Sequence, residues 1–374
     1  MKKILLIILV LSMILTTACW DMVELEDRML PYSLTVDIAD DDSEKSLFFC
    51  FSYPNINALG KSPTQEEVVY IIDVAANSIF EATHEIKTRN SKPIFLKHLN
   101  VIVMSESVFT NEKYFREVFD GIQRDFVINK MINLLITKED ARELLETKLK
   151  AQRQETIEGL LISMLRNEQE SVKFTPIKVM EFIEAMDHNR AAVIPLGIPN
   201  DEIEIAGGGL FKDYQFVGYI DKDDNRNITL LNDKAVTIEL DMVYNEGILS
   251  LLLSGFKVKK RLVRDEDILK IQYKIDANSQ MQQYISHKVK GVESSEIMED
   301  MEKAVNEYIE SEISGTLDRL QKDYNADAIG ILEYLYKFHP KIYNEVEEDW
   351  DSIFPTIDID VEVDVKIRRR GLIS

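Results

Sequence analysis

Few residues in this chain have a type and spacing that could do chemistry, and the most informative is a cysteine. Cys19 closes a short apolar run and is preceded by Ala18, so its thiol stands where a covalent modification could be made. The other cysteine, Cys50, lies in Leu47-Phe48-Phe49-Cys50-Phe51 with no basic neighbour nearer than Lys45, and reads as a small buried hydrophobe rather than a nucleophile. Two cysteines cannot build a disulfide framework once Cys19 is modified. The histidines, His84, His98, His188, His287 and His339, are dispersed with no HxxxH or HExxH pair, so a metal site would have to gather ligands from remote segments. No GxSxG elbow marks a serine nucleophile. Gly207-Gly208-Gly209 follows a strand pattern, but neither GxGxxG nor GxxxxGK[ST] runs through it and Leu210 to Lys212 continues extended. The triplet therefore reads as a bulge or a close backbone approach. Asp221-Lys222-Asp223-Asp224-Asn225 begins like a calcium loop, yet Arg226 stands where that loop needs glycine and Asn232 where it needs glutamate, which leaves a turn. No catalytic, metal-binding or cofactor-binding residue is assigned.

The residues around Cys19 form a device. Residues 1–19 carry Lys2 and Lys3, then the nearly uninterrupted apolar stretch Ile4 to Leu15, then small residues, the form of a secretory signal peptide. That stretch falls short of the ~20 residues needed to cross ~30 Å of hydrocarbon, so a permanent transmembrane helix is the weaker reading. Ala18-Cys19 resembles the lipobox of bacterial lipoproteins, in which the thiol takes a diacylglyceryl group and cleavage leaves the cysteine first. Thr16 stands where the pattern prefers leucine, with Leu15 one place further back. The expectation is a lipoprotein signal peptide over 1–18, cleavage between Ala18 and Cys19, and lipidation of Cys19. Two acyl chains on one residue hold stably where one holds marginally.

The elements that would carry a function begin behind that anchor. Strand-like runs through Leu34 and Val36 and over Leu47 to Tyr53 flank the acidic turn Asp40-Asp41-Asp42 as a hairpin. A strand over Val68–Val74, a helix over Ser78–Arg89 and a strand over Leu99–Ser105 follow. Helical patterns at 114–124, 138–148 and 156–166 surround a strand at 131–137, and Pro176 opens a helix running through Ile183. Two prolines and a glycine between Ile194 and Asn200 predict a linker, 195–202. It separates an N-terminal α/β region, 19–194, with room for two subdomains, from a C-terminal α+β domain, 203–374. In the latter, Ile203–Lys212 and Phe216–Ile220 form a hairpin, and strands are expected at 235–243, 248–257 and 268–275. Ile297, Met301, Val305, Tyr308, Ile313, Leu317, Leu320 and Tyr324 then form one apolar stripe on a long helix over 292–324, which should pack across the sheet. Shorter helices are expected at 326–338 and 342–353. Residues 357–367 alternate strictly, putting Asp358, Asp360, Glu362 and Asp364 on one face about 6.8 Å apart. Such a row could hold cations, but a solvent face that discourages edge pairing is the simpler reading. The fold class is thus α+β, multi-domain, with mixed and antiparallel sheets, packed helices and a long amphipathic helix in the C-terminal domain.

Composition bounds the function. The chain has 374 residues, 44 Lys+Arg against 66 Asp+Glu, a net charge of −22 and 45% hydrophobic residues, enough apolar material for a sizeable core. Loss of 1–18 removes two lysines and no acid, leaving 356 residues at −24. That charge repels phosphate backbones and anionic headgroups, so nucleic acid is excluded as a partner and the membrane is reached by the lipid rather than by a basic patch.

Cys19-Trp20-Asp21 followed by Glu24-Leu25-Glu26-Asp27 resembles the CWDxxEL start of the Ger(x)C family, the lipoprotein C subunits of bacterial spore nutrient germinant receptors. Trp350-Asp351-Ser352-Ile353-Phe354-Pro355 and Val365-Lys366-Ile367-Arg368-Arg369-Arg370-Gly371 are similar to the family's closing W-x-x-I-F-P and V-K-I-R-R-x-G. Phe95-Leu96-Lys97-His98-Leu99, Ala206 to Lys212 and Gly218-Tyr219 sit where similar segments occur. The resemblance implies a non-enzymatic, lipid-anchored subunit on the outer face of the spore inner membrane, working with two integral membrane subunits, A and B, and needing no cofactor. From a different class, a solute-binding lipoprotein of a membrane transporter would share the anchor but would show a two-lobed body with a ligand cleft.

Overall fold

The computed structural model describes residues 28–40, 43–54, 69–90, 92–125, 128–146, 157–166, 172–199, 203–265, 268–285 and 295–368. The expected signal peptide, Ala18, Cys19 and Trp20 lie outside these residues, as do the turn-rich stretch after Pro54 and the last residues of the closing motif.

The first sheet starts with the expected hairpin, β1 (Ser33–Ile38) against β2 (Leu47–Pro54), and β3 (Val69–Ala76) extends it antiparallel. Parallel strands β4 (Val101–Ser105) and β5 (Asn133–Thr137) follow on the other side of β1, with the two-residue β6 (Ile177–Lys178) beside β5. Then come β7 (Ala191–Ile198), β8 (Glu204–Lys212) and β9 (Gln215–Ile220), giving the order β3-β2-β1-β4-β5-β7-β8-β9.

Helices cover both faces, so the central strands are apolar on both sides. Ile102 and Met104 of β4 face Phe115, Phe119 and Phe182. Val101 and Val103 face Leu144, Leu161 and Leu165. The covering helices are α1 (Ile79–Arg89), α2 (Glu106–Phe109), α3 (Glu112–Arg124), α4 (Ala141–Glu146), α5 (Ile157–Arg166) and α6 (Val179–His188). Local signals set their starts: the Ser78 hydroxyl accepts from the Glu81 amide at 3.1 Å, and buried Asp37 accepts from the Ala141 amide at 2.7 Å.

The second unit begins with α7 (Lys222–Leu231) and continues into a sheet of β10 (Thr237–Tyr244), β11 (Gly247–Asp265), β12 (Ile268–Ile285) and β13 (Asp358–Arg368), in that order. β13 runs parallel to β12. α8 (Ser295–Asp318) ends in a π-helical turn, Arg319–Asp323, and crosses the sheet as expected, burying Met301, Val305, Ile309, Ile313 and Leu317 at four-residue spacing. Three short helices, α9 (Ile331–Phe338), α10 (Pro340–Val346) and α11 (Trp350–Ile353), lead into β13.

Three local expectations are corrected. Pro176 does not open α6, which starts at Val179 after the bridge strand β6. Residues 195–198 of the expected linker are strand, part of β7, which is buried from Ala191 to Gly197. Pro195 is accommodated beside a register shift in the β7–β8 ladder. As a result β8 and β9 complete the first sheet, although they follow the expected boundary. Asp221 to Asn225 is not a turn but the N-cap and first residues of α7, with the Asp221 carboxylate accepting the Asp223 and Asp224 amides at 2.9 and 2.8 Å.

Candidate functional site: the junction between the two sheets

The residues singled out for chemistry are quiet ones. Cys50 is fully buried opposite Thr35, and burial pushes its thiol up to about 12, far from a reactive thiolate. His84 and His98 are exposed, His188 stacks on Tyr336, and His339 pairs with the Tyr334 hydroxyl, while His287 lies outside the described residues. Among the described residues no group of three potential ligands is placed to hold a metal ion. The carboxylates of β13 meet lysines across the solvent face: Asp358 and Asp360 face Lys270 at 2.9 and 3.8 Å, Glu362 faces Lys274 at 2.9 Å, and Asp364 faces Lys366 at 2.9 Å.

The glycine triplet is a close backbone approach. A Cβ on Gly207, whose φ is +61°, would stand 2.4 Å from the Ile220 carbonyl oxygen, and one on Gly208 would stand 2.6 Å from that of Ile194. Small residues here let β7, β8 and the β9–α7 corner close on one another.

That corner is where the two sheets are joined. Asp224, only 5% exposed, receives the Arg319 guanidinium, with Nε at 2.8 Å, and the Thr316 hydroxyl at 2.6 Å. Thr316 in turn accepts from Asn227 Nδ2 at 2.9 Å. One helix of this bridge follows directly from β9 and the other is the end of α8, so the calcium-like acidic stretch serves as an ion-pair anchor. Hydrogen bonding to Asp224 raises the Arg319 pKa further, keeping it charged.

A second set of contacts runs along the same seam. Arg190 grips Asp213 through two bonds of 2.9 and 2.7 Å and reaches Asp351 at 3.4 Å, while Lys212 meets Asp351 at 2.8 Å. Burial works against ionisation of Asp351, but the bonds from Lys212 and Arg190 outweigh it and hold the carboxyl below its ordinary range. The Tyr324 hydroxyl donates to the Tyr219 carbonyl at 2.8 Å, and its ring occupies the space a Cβ on Gly218 would need. Trp350 and Phe354 are buried in the second core, and Gln321 donates to the carbonyls of Phe354 and Ile357 at 2.8 and 2.9 Å. The 206–212, 218–219 and 350–355 segments thus converge here, whereas Leu96 and Leu99 are buried in the first core.

A cleft of about 380 Å³ opens beside this seam, between α6, β7, α7 and α9. Its walls mix apolar and polar groups, and most of the polar ones bond to one another: Asn225 donates to Thr175 at 3.2 Å, Asn232 to the Ala328 carbonyl at 2.8 Å, and the Glu333 amide to Asn189 at 2.9 Å, while the buried Asn225 Oδ1 accepts no bond from a described residue. What the sequence reading missed is the Asp224–Arg319 partnership, because its members are 95 residues apart and neither belongs to a recognisable motif.

Comparison with known proteins places both halves of the chain in families of spore germination proteins, with the two models meeting between β7 and β8. Residues 21–197 match the family model of the spore germination protein N-terminal domain, and residues 206–371 match that of the spore germination B3/GerAC-like C-terminal domain. Spore germination protein YndF of Bacillus subtilis (strain 168) is 22% identical, the match covering 98% of this chain and 96% of the relative. Spore germination protein KC of the same organism is 20% identical over 99% and 96%, and spore germination protein B3 is 19% identical over 95% of each chain. The crystal structure of the GerBC protein superimposes with a TM-score of 0.60 at 16% identity, covering 89% of this chain and 97% of the other, so the multi-domain α+β fold is shared.

Proposed function

Because the chain belongs to the Ger(x)C family of spore germination proteins, we propose that it is the lipid-anchored, non-enzymatic subunit of a spore nutrient germinant receptor. In this reading, cleavage after Ala18 leaves Cys19 as the acylated first residue. The two acyl chains hold the protein on the outer face of the spore inner membrane, where it assembles with the integral membrane A and B subunits. Confinement to two dimensions raises its effective concentration against them. The observation that carries the reading is the pair of family models that together span 21–197 and 206–371, starting two residues behind Cys19. Among the described residues no helix is long and apolar enough to cross a membrane.

The test is affinity purification of the tagged chain from detergent-solubilised spore membranes, beside a Cys19→Ala control. Co-recovery of two multi-spanning receptor subunits, reduced in the control, is expected. Recovery of a transporter permease with its ATPase would overturn the reading and favour a solute-binding lipoprotein.

A further inference from the structure

The two outer edges of the second sheet are treated differently. On β13, the outward amides of Val363, Val365 and Ile367 are met at 2.9 Å by Glu310, Asn306 and Glu302 of α8. Four residues of helix rise about 6 Å and two residues of strand about 6.7 Å, so one helix face caps every second amide of the strand. On β10 no described residue makes such a bond to Glu239, Asp241 or Val243. Asn245 and Glu246, both at positive φ, form the two-residue turn joining Tyr244 to Gly247. In such a hairpin the flanking pair exchanges hydrogen bonds, so the amides and carbonyls of Glu239, Asp241 and Val243 point away from β11. The side chains of the same three residues are exposed, Val243 to 77%. Val243 continues across the strands to Ile248 and Ile285, which are half exposed.

We propose that the β10 edge is a docking strand for an extended segment of a partner protein that alternates basic and aliphatic side chains. Backbone pairing supplies attachment, Glu239 and Asp241 select the basic side chains opposite them, and the aliphatic ones fall on the face of Leu240 and Met242. A second copy of this chain is disfavoured, because antiparallel pairing of two β10 strands about a twofold axis at their middle sets Glu239 against Asp241 or Asp241 against itself. The inference stands on the edge geometry alone and does not depend on the receptor reading.

The test uses the detergent-solubilised full chain with a capped six-residue Lys-Val repeat peptide, and a Glu-Val repeat as control. Fluorescence anisotropy reads affinity, and hydrogen exchange reads the amides of Glu239, Asp241 and Val243. Saturable binding of the basic peptide alone is expected, with new protection at those three amides. Asp241→Pro should abolish that protection, since it removes an outward donor and leaves the β11 ladder intact. The Glu239→Lys/Asp241→Lys pair should weaken binding about tenfold at low salt. Binding left unchanged by Asp241→Pro would overturn the proposal, as would protection of these amides already present without peptide. Loss of membrane partners in the purification above, with peptide binding retained, would sink the receptor reading and leave this one standing.

Discussion

At the residue scale, the buried charges carry the measurable consequences. Asp224 is satisfied by Arg319, Thr316 and its place in the first turn of α7, so Arg319→Met leaves a buried carboxylate with one partner fewer. The variant should lose about 3 kcal/mol in urea unfolding, and Asp224→Asn in the same chain should restore part of it. Asp351 has its pKa lowered by Lys212 and Arg190 against the pull of burial. A folded value below the unfolded one gives stability that is complete above the ordinary carboxylate range and lost as pH falls through the folded value. Asp351→Asn should therefore flatten the acid limb of a stability–pH profile below pH ~4, the ordinary carboxyl value. Lys260 behaves oppositely. Burial among Tyr273, Tyr334 and the Ile329 and Gly330 carbonyls brings its ammonium down to about 8. The unfolded chain then binds the extra proton between about 8 and about 10.4, so this group's contribution to stability rises with pH across that window. Lys260→Met should abolish that rise in thermal melts taken from pH 7 to 10.

At the scale of elements, close approach and edge capping matter more than propensity. Gly207 has both a left-handed φ and a neighbouring carbonyl where a Cβ would go, so Gly207→Ala should destabilise by about 2 kcal/mol or more, read as a shifted denaturant midpoint. Asn306 is the middle of the three α8 side chains on β13. Asn306→Leu keeps the helix but orphans the Val365 amide, and about 1–3 kcal/mol should be lost by the same measurement. The strict alternation of β13 and the apolar stripe of α8 were each readable from the sequence. Their meeting along the strand edge was not, because a helix face at four-residue spacing matches a strand edge at two-residue spacing only once both are placed.

At the scale of the whole molecule, the β7–β9 ribbon decides where the chain divides. Since β8 pairs with β7 and β9 with β8, a fragment ending at Ile198 strips two strands from the first sheet and bares the aromatic cluster around Phe211. A fragment of residues 28–220 should be recovered with a cooperative melt, whereas one of residues 28–198 should aggregate, as followed by circular dichroism and light scattering. The sequence by itself determined the α+β class, most strands and helices, the quiet character of Cys50 and the family resemblance, because periodicity, apolar runs and terminal motifs are local patterns. Only the tertiary structure decided that Pro195 sits in a buried strand and that an acidic stretch resembling a calcium loop is an ion-pair anchor. It also decided that α8 caps one edge of the second sheet while, among the described residues, Glu239, Asp241 and Val243 on the other edge meet no such cap. Each of these turns on partners dozens of residues away, and the identity of a buried charge's counter-ion or a strand's neighbour is set by which surfaces the packed cores bring together.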